Sequence, residues 1–348
     1  MVEAREMSVG ERIKSARIGA GLSQRALADR MGMSAMAIAK YEKGTIVPKS
    51  GVLIRLAEAL GVQVDYFFRS TSVALSLPQY RCRKELKKKE ESRIHRQVQD
   101  WLERYLEIEL IVGEEKPLDL PPPERCRVAS LDDIETVAQM VREEWNLGLD
   151  PIENVMDVLE QHGVKVGVIE ATDALDALTL YYNDTTPVIA VNNDMPGDRQ
   201  RFNLAHELGH LMLRIEGDID EEKAANRFAG AFLVPKEMAV RELGEKRRTI
   251  TPQEFYLLKH KYGMSMSAWL HRAADLGIVT KPTADRLWRY FNARGWRREE
   301  PFDQVQPERP THMEMLILRA LGEEAIDEAR ARELFGGELP AGAARSAG

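Results

Sequence analysis

Cysteine is scarce: the 348 residues hold two, Cys82 and Cys126. They stand far apart, so no disulfide framework is encoded, and both read as reduced thiols of a cytoplasmic protein. No apolar run approaches the roughly 20 residues that a bilayer span needs. The N-terminus is polar and charged and has no signal-peptide core. Membrane and secreted classes are set aside on these grounds, and a cytoplasmic location is expected. No internal repeat is visible. Positive charge is also in deficit: 49 Lys and Arg against 56 Asp and Glu give a formal net charge of −7. The chain as a whole is therefore no nonspecific nucleic-acid binder, and any DNA contact has to come from a local patch. Apolar residues make up 44%, enough for real cores, and the length suits two or three domains.

The densest chemistry lies at His206-Glu207-Leu208-Gly209-His210, an H-E-x-x-H motif. Residues four apart share a helix face, so His206 and His210 can offer two imidazoles to one metal ion. Glu207 is one step round, placed to act as general base on water rather than as a ligand. Leu204, Ala205, Leu208, Leu211 and Met212 form an apolar stripe, so the helix is expected to be largely buried. Unpaired polar groups inside a protein cost about 1–3 kcal/mol each, and a metal would satisfy them. Zinc in a catalytic site takes three protein ligands and one open position. The next helix offers the third ligand. Its apolar positions Ala225, Phe228, Ala229 and Phe232 recur at helical spacing, and Glu222 and Asn226 are expected to share that inward face, with Glu221 a quarter-turn away. Glu222 is the candidate ligand, and Asn226 the residue that orients a ligand imidazole. The plainer alternative is that Glu222 is a helix-start acid favoured by the macrodipole.

Phe202-x-x-Ala205-His206-Glu207-Leu208-Gly209-His210, followed by Glu222-x-x-Ala225-Asn226-x-Phe228-Ala229-x-x-x-Leu233-Val234-Pro235, resembles the ImmA/IrrE family of metallopeptidases. A helical segment at 258–278 and the closing run Gly295-Trp-Arg-Arg-Glu-Glu-Pro301 resemble that family too, so the likeness spans roughly residues 150–301. It implies a zincin-like fold, a zinc cofactor and a protein substrate, since the family cleaves a repressor protein.

Near the start, Ser23 is an N-cap for a helix at Gln24–Met31 and Ser34 for one at Ala35–Lys43, with the glycine turn Met31-Gly32-Met33-Ser34 between them. A first helix at Val9–Ala20 and a fourth carrying Leu53, Leu56, Ala57 and Leu60 complete a compact all-α unit over residues 8–68. This pattern resembles the XRE/Cro-repressor helix-turn-helix family. The resemblance implies that the third helix lies in the DNA major groove, with Ser34, Ala35, Met36, Ala37 and Lys40 facing the bases and Gln24 beside the backbone. Residues 1–70 carry eleven Lys and Arg against seven Asp and Glu, a balance of +4 that inverts the sign of the full chain. Ala35, Met36 and Ala37 carry no hydrogen-bonding side chains, so base reading is expected to be weak, A/T-biased or carried by shape.

Four segments are expected. Residues 1–70 form the DNA-binding domain. Residues 71–130 form a linker and a long helix near 83–110, packing on the peptidase or on a second subunit in a homodimer. Residues 131–301 form the metallopeptidase domain, with helices, then strands at 164–169, 178–182 and 188–191 in one small sheet, then the motif helix. Residues 302–348 form a helical extension ending in a Gly/Ala-rich tail expected to be disordered. The class is α+β, mainly helical with a small β-sheet. Arg227 and nearby Tyr or His side chains are candidates for stabilising an oxyanion. His260 and His271 are read as surface histidines. The function expected is a zinc endopeptidase coupled to a sequence-specific DNA-binding domain in transcriptional regulation. The rival is a DNA-binding regulator or antitoxin-like protein whose peptidase-like domain senses a metal or partner without turnover.

Overall fold

The computed structural model describes residues 5–69, 71–73, 75–76, 78–82, 86–172, 174–337 and 339–340. In chain order its elements are β1 (Arg5–Glu6), α1 (Val9–Gly19), α2 (Gln24–Met31), α3 (Ala35–Glu42), α4 (Ser50–Leu60), β2 (Thr71–Ser72), β3 (Gln79–Cys82) and α5 (Lys88–Val112). Then come β4 (Arg127–Val128), α6 (Leu131–Glu144), α7 (Val155–Gln161), β5 (Lys165–Ile169), β6 (Leu175–Tyr182) and β7 (Thr186–Asn192). They are followed by α8 (Gly197–Met212), β8 (Arg214–Ile215), α9 (Glu221–Leu233), α10 (Lys236–Leu243), α11 (Pro252–Tyr262) and α12 (Met266–Asp275). The last are α13 (Lys281–Ala293), α14 (His312–Gly322) and α15 (Glu328–Phe335). The architecture is α+β, mainly helical with small sheets of few strands, as the sequence pattern predicts. Among the described residues no helix is long and apolar enough to cross a membrane. Residues 83–85 of the expected linker and long helix and most of the Gly/Ala tail (338 and 341–348) fall outside the described residues.

The chain divides into two compact units. One comprises residues up to Pro117, Gly163–Ala190 and the residues from Pro310 onward; the other comprises Leu118–His162 and Val191–Arg309.

In the first unit, α1–α4 close over Ile13, Leu27, Ile38, Leu56 and Phe67. Ser8, Ser23 and Ser34 each cap the following helix through their hydroxyl oxygens. Gly32 ends α2 with φ of 60°, a left-handed turn that glycine adopts without the Cβ penalty. The long helix α5 carries three kinds of contact. Ile94, Val98 and Leu102 pack on sheet residues Leu178, Leu180 and Val188. Ile108 packs on Ile317, Ala331 and Leu334 of α14 and α15. Glu103 accepts from the buried Arg12 of α1 at 2.5 Å. Burial pushes the Glu103 carboxyl up, and Arg12 opposes that. The sheet has the order β3-β6-β7-β5. Three of its strands match the predicted β-rich runs. The fourth, β3, lies where the sequence reads as linker, and pairs antiparallel to β6 with Gln79 opposite Thr179. Its four residues are too few to show a periodicity, and Pro78 beside it reads as a breaker.

The second unit is built on α6, α8, α9 and α11–α13. Arg272 of α12 and Arg227 of α9 both pair with Glu135 of α6, and Arg227 reaches Asp275 at 3.3 Å. Arg142 is buried and donates to the carbonyls of Gly148 at 2.8 Å and Asp150 and Phe232 at 2.6 Å. Burial brings its pKa down to about 10. Lys259 of α11 is fully buried between Asp198 at 3.2 Å and Glu300 at 3.1 Å. The same Glu300 carboxylate accepts from the backbone amides of Met266 at 3.0 Å and Ser267 at 2.9 Å, at the start of α12. The closing run at 295–301 thus fastens two helices through one carboxylate. Cys126 is a buried free thiol.

Candidate metal centre and nucleic-acid interface

Helix α8 is buried along most of its length, which explains how a helix rich in polar residues holds together. His206 and Glu207 are both buried on it, whereas the His210 side chain is 30% exposed. The structure brings His206, His210 and Glu222 together, with one ligand atom of each lying within 4.8 Å of the others. The two Nε2 atoms are 2.9 Å apart. Glu222 oxygens stand 3.5 Å from His206 Nε2 and 3.2 Å from His210 Nε2.

His206 Nδ1 is 3.0 Å from Oδ1 of Asn226. An amide oxygen only accepts, so Nδ1 of the neutral ring carries the hydrogen and Nε2 turns a lone pair toward the cluster. Two imidazole nitrogens and a carboxylate meet there, a donor set typical of zinc. With bonds of about 2.0–2.1 Å, the edge of a tetrahedral zinc site is roughly 3.3 Å, and the three separations bracket that length. The residues present therefore fit a zinc ion.

One expectation is corrected. Glu222 and Asn226 do not share the buried face of α9. That face is Ala224, Ala225, Phe228, Ala229 and Phe232, while the Glu222 side chain is 69% exposed and Asn226 is exposed beside it. They sit one turn apart on the rim of α9, over the edge of α8. The rim placement leaves the cluster open to solvent on the side of His210 and Glu222 and closed on the side of His206. Arg227, a candidate for the oxyanion, is held by Glu135 and Asp275; its charge is spent on those carboxylates. His260 lies 3.2 Å from the carbonyl of Asp303, and His271 lies against the Trp288 ring at 4.5 Å. Neither belongs to the cluster.

Sequence reasoning missed Gly209. A Cβ there would meet Ala225 Cα and Phe228 Cδ1 at 3.2 Å. The missing side chain is what lets α8 and α9 approach closely enough for Glu222 to reach the two histidines. Its signal was present: a glycine in the middle of a helix costs about 1 kcal/mol relative to alanine, so it needs a packing reason.

In the helix-turn-helix, Ser34, Ala35, Met36 and Lys40 are exposed and Ala37 is half-buried. Met36 is 70% exposed and Val47, in the loop after α3, 78%. The Ser34 hydroxyl oxygen accepts from the Ala37 amide at 3.2 Å. Gln24 donates to Glu42 at 2.7 Å, and Glu42 is also held by Arg17. The amide that could address DNA is thereby fixed in place at the start of α2.

Residues 13–67 match the family model for a helix-turn-helix, and residues 159–274 match that of a peptidase family described as the IrrE N-terminal-like domain. Among curated proteins, the chain is 35% identical over 68 residues to the SPbeta prophage-derived HTH-type transcriptional regulator YonR of Bacillus subtilis (strain 168), covering 20% of this chain and 63% of that protein. It is 42% identical over 60 residues to a transcriptional regulator in the ATPase CF(0) region of Rhodospirillum rubrum, covering 17% of this chain and 56% of that one. The chain thus spans somewhat more than half the length of these relatives. Taken with the fold, these matches show that the chain joins a segment similar to helix-turn-helix domains to a segment similar to the IrrE N-terminal-like domain.

Proposed function

We propose that the protein is a zinc-dependent endopeptidase coupled to a DNA-binding domain, acting in transcriptional regulation by cleaving a regulatory, repressor-like protein. The observation that carries this reading is the meeting of two imidazoles and a carboxylate at ligand distance beside a buried glutamate on the same helix turn. His206, His210 and Glu222 would hold the ion. Asn226 keeps His206 in the tautomer whose Nε2 can donate a lone pair. Zinc, when bound, supplies a Lewis acid that polarises a carbonyl and makes water acidic near neutral pH. Glu207 takes the proton of the attacking water and returns it to the leaving amine. A peptide approaches from the exposed side, past His210 and Glu222, because His206 and Glu207 are covered. The helix-turn-helix docks α3 in the major groove with Ser34, Ala35, Met36, Ala37 and Lys40 toward the bases, and a homodimer would place two such helices on successive half-sites.

The test is zinc content and peptide cleavage of the wild type and of Glu207→Gln, read on a fluorogenic peptide library. The expected result is about one zinc in each form and cleavage by the wild type alone. Cleavage surviving in Glu207→Gln removes that residue from the mechanism. Zinc retained without any cleavage by the wild type favours the rival reading, a regulator that uses the same cluster to sense metal or a partner.

A further inference from the structure

The chain has an excess of acid. Arg127 pairs with Glu216, Arg319 with Glu114 and Arg332 with Glu328. One stretch gathers cations that have no such carboxylate. From Lys281 to Arg298 there are six basic residues, Lys281, Arg286, Arg289, Arg294, Arg297 and Arg298, against a single acid, Asp285. All six are exposed. Among the described residues none of the six lies within ion-pair distance of a carboxylate. Glu299 follows them, and Glu300 is already spent on Lys259 and the start of α12.

Part of the set shares a helix face: Arg286, Arg289, Tyr290 and Arg294 recur at three- and four-residue spacing, while Arg297 lies in the turn after α13, near the Trp288 ring. Several of the guanidinium groups are held in place without being neutralised. Arg286 donates to the carbonyl of Arg248 at 3.0 Å, which brings the basic run 246–248 alongside. Arg294 stacks over the Tyr290 ring at 3.6 Å, and Arg297 lies 5.6 Å from the Trp288 ring. Stacking on a ring fixes the plane of a guanidinium while its N–H edges stay free to bind an anion.

We propose that this face of α13 and the turn after it is a second DNA-binding surface, which grips phosphates without reading sequence. DNA fits better than an acidic protein for two reasons. Six cations without a carboxylate partner stand between Lys281 and Arg298, and three of their guanidinium groups are held with N–H edges free, which suits phosphate oxygens. No acidic residue of α13 other than Asp285 stands among them to discriminate between partners. The proposed surface shares no residue with α3 or with the His206, His210 and Glu222 cluster.

The experiment uses the full chain carrying Lys40→Glu, which weakens the helix-turn-helix, and a labelled duplex of random sequence, about 30 base pairs long, titrated over a range of salt. The expected result is retained binding at low salt, with log K falling linearly against log salt. Adding Arg289→Gln, Arg294→Gln and Arg297→Gln should reduce that slope by about 2.7, at roughly 0.9 for each phosphate no longer neutralised. Arg294 and Arg297 touch aromatic rings, so Arg289→Gln with Arg298→Gln serves as a second variant whose side chains hold nothing else; its slope should fall by about 1.8. No duplex binding in the Lys40→Glu chain, or a slope unchanged in both multiple variants, overturns the proposal. So does a loss confined to binding of polyglutamate, which would make the surface a site for acidic protein.

Discussion

Replacing Gly209 by alanine adds one methyl where α8 and α9 meet. That methyl would lie 3.2 Å from Ala225 Cα and Phe228 Cδ1 and 3.3 Å from Phe228 Cβ. The neighbours must give by a few tenths of an ångström, and one of them is backbone. Two effects on stability oppose each other. Overpacking costs about 1–3 kcal/mol, while alanine gains roughly 1 kcal/mol over glycine inside a helix. The net loss should lie between zero and about 2 kcal/mol by these terms. The metal centre has no such compensation. His206 and His210 ride on α8 and Glu222 on α9, so widening the gap acts directly on separations of 3.5 and 3.2 Å. Metal sites tolerate only about 0.2 Å, and disturbances next to a ligand shell typically cost 10–100-fold in affinity, roughly what is expected here. The assay is zinc competition against a chromogenic chelator, set beside urea unfolding of the metal-free protein. Gly230→Ala is the control, because its Cβ would find only Arg272 Cδ at 3.5 Å, an ordinary contact; zinc affinity should not change. Wild-type zinc affinity in Gly209→Ala would refute the argument that this glycine sets the ligand distances.

Lys40→Glu should weaken operator binding while leaving zinc content alone; an unchanged gel-shift titration would end the assignment of α3 as the recognition helix. Glu300→Ala leaves buried Lys259 with Asp198 and the Gln304 amide oxygen and strips two amides of their acceptor. Urea unfolding should show a loss of about 3 kcal/mol, the lower end for breaking a buried pair. Burial, helped by Arg96, holds the His95 imidazole below its ordinary pKa of 6.5. The unfolded chain then takes up that proton first, so stability present above pH 6.5 is lost as the pH falls toward the depressed folded value. His95→Gln should flatten the fall in unfolding midpoint below pH 6.5 relative to wild type; parallel curves would count against it.

The sequence was most legible where local rules decide. Serine caps and the Gly32 turn set out α2 and α3, and apolar spacing set out α5, α6 and α9. Three strands were visible because each has a run of β-branched or aromatic residues. The pattern of His206, Glu207 and His210 follows from helical geometry alone. What was hidden depends on partners. A strand of four residues, β3, is defined by its neighbour β6 rather than by its own pattern. Glu222 reads as inward by periodicity, yet it stands on a rim, because a helix packed against another has edges as well as faces. The role of Gly209 depends on which helix comes to lie beside α8, and spacing along one helix says nothing of that. The Glu135, Arg227 and Arg272 cluster joins residues as much as 137 positions apart, and only the folded chain brings them together.

The chain changes unit four times, after Pro117, His162, Ala190 and Arg309. The helix-turn-helix is therefore no bead on a string. Its supporting helix α5 leans on strands made later and on α14 and α15, which are made near the end. During synthesis, the ribosome must deliver the entire peptidase-like segment before Leu316, Ile317 and Leu334 can cover Ile108. A chain cut short before residue 310 would keep its helix-turn-helix but leave that apolar patch bare, a mark for proteolysis. The helix-turn-helix thus reaches its finished scaffold only in molecules that also carry the peptidase-like segment.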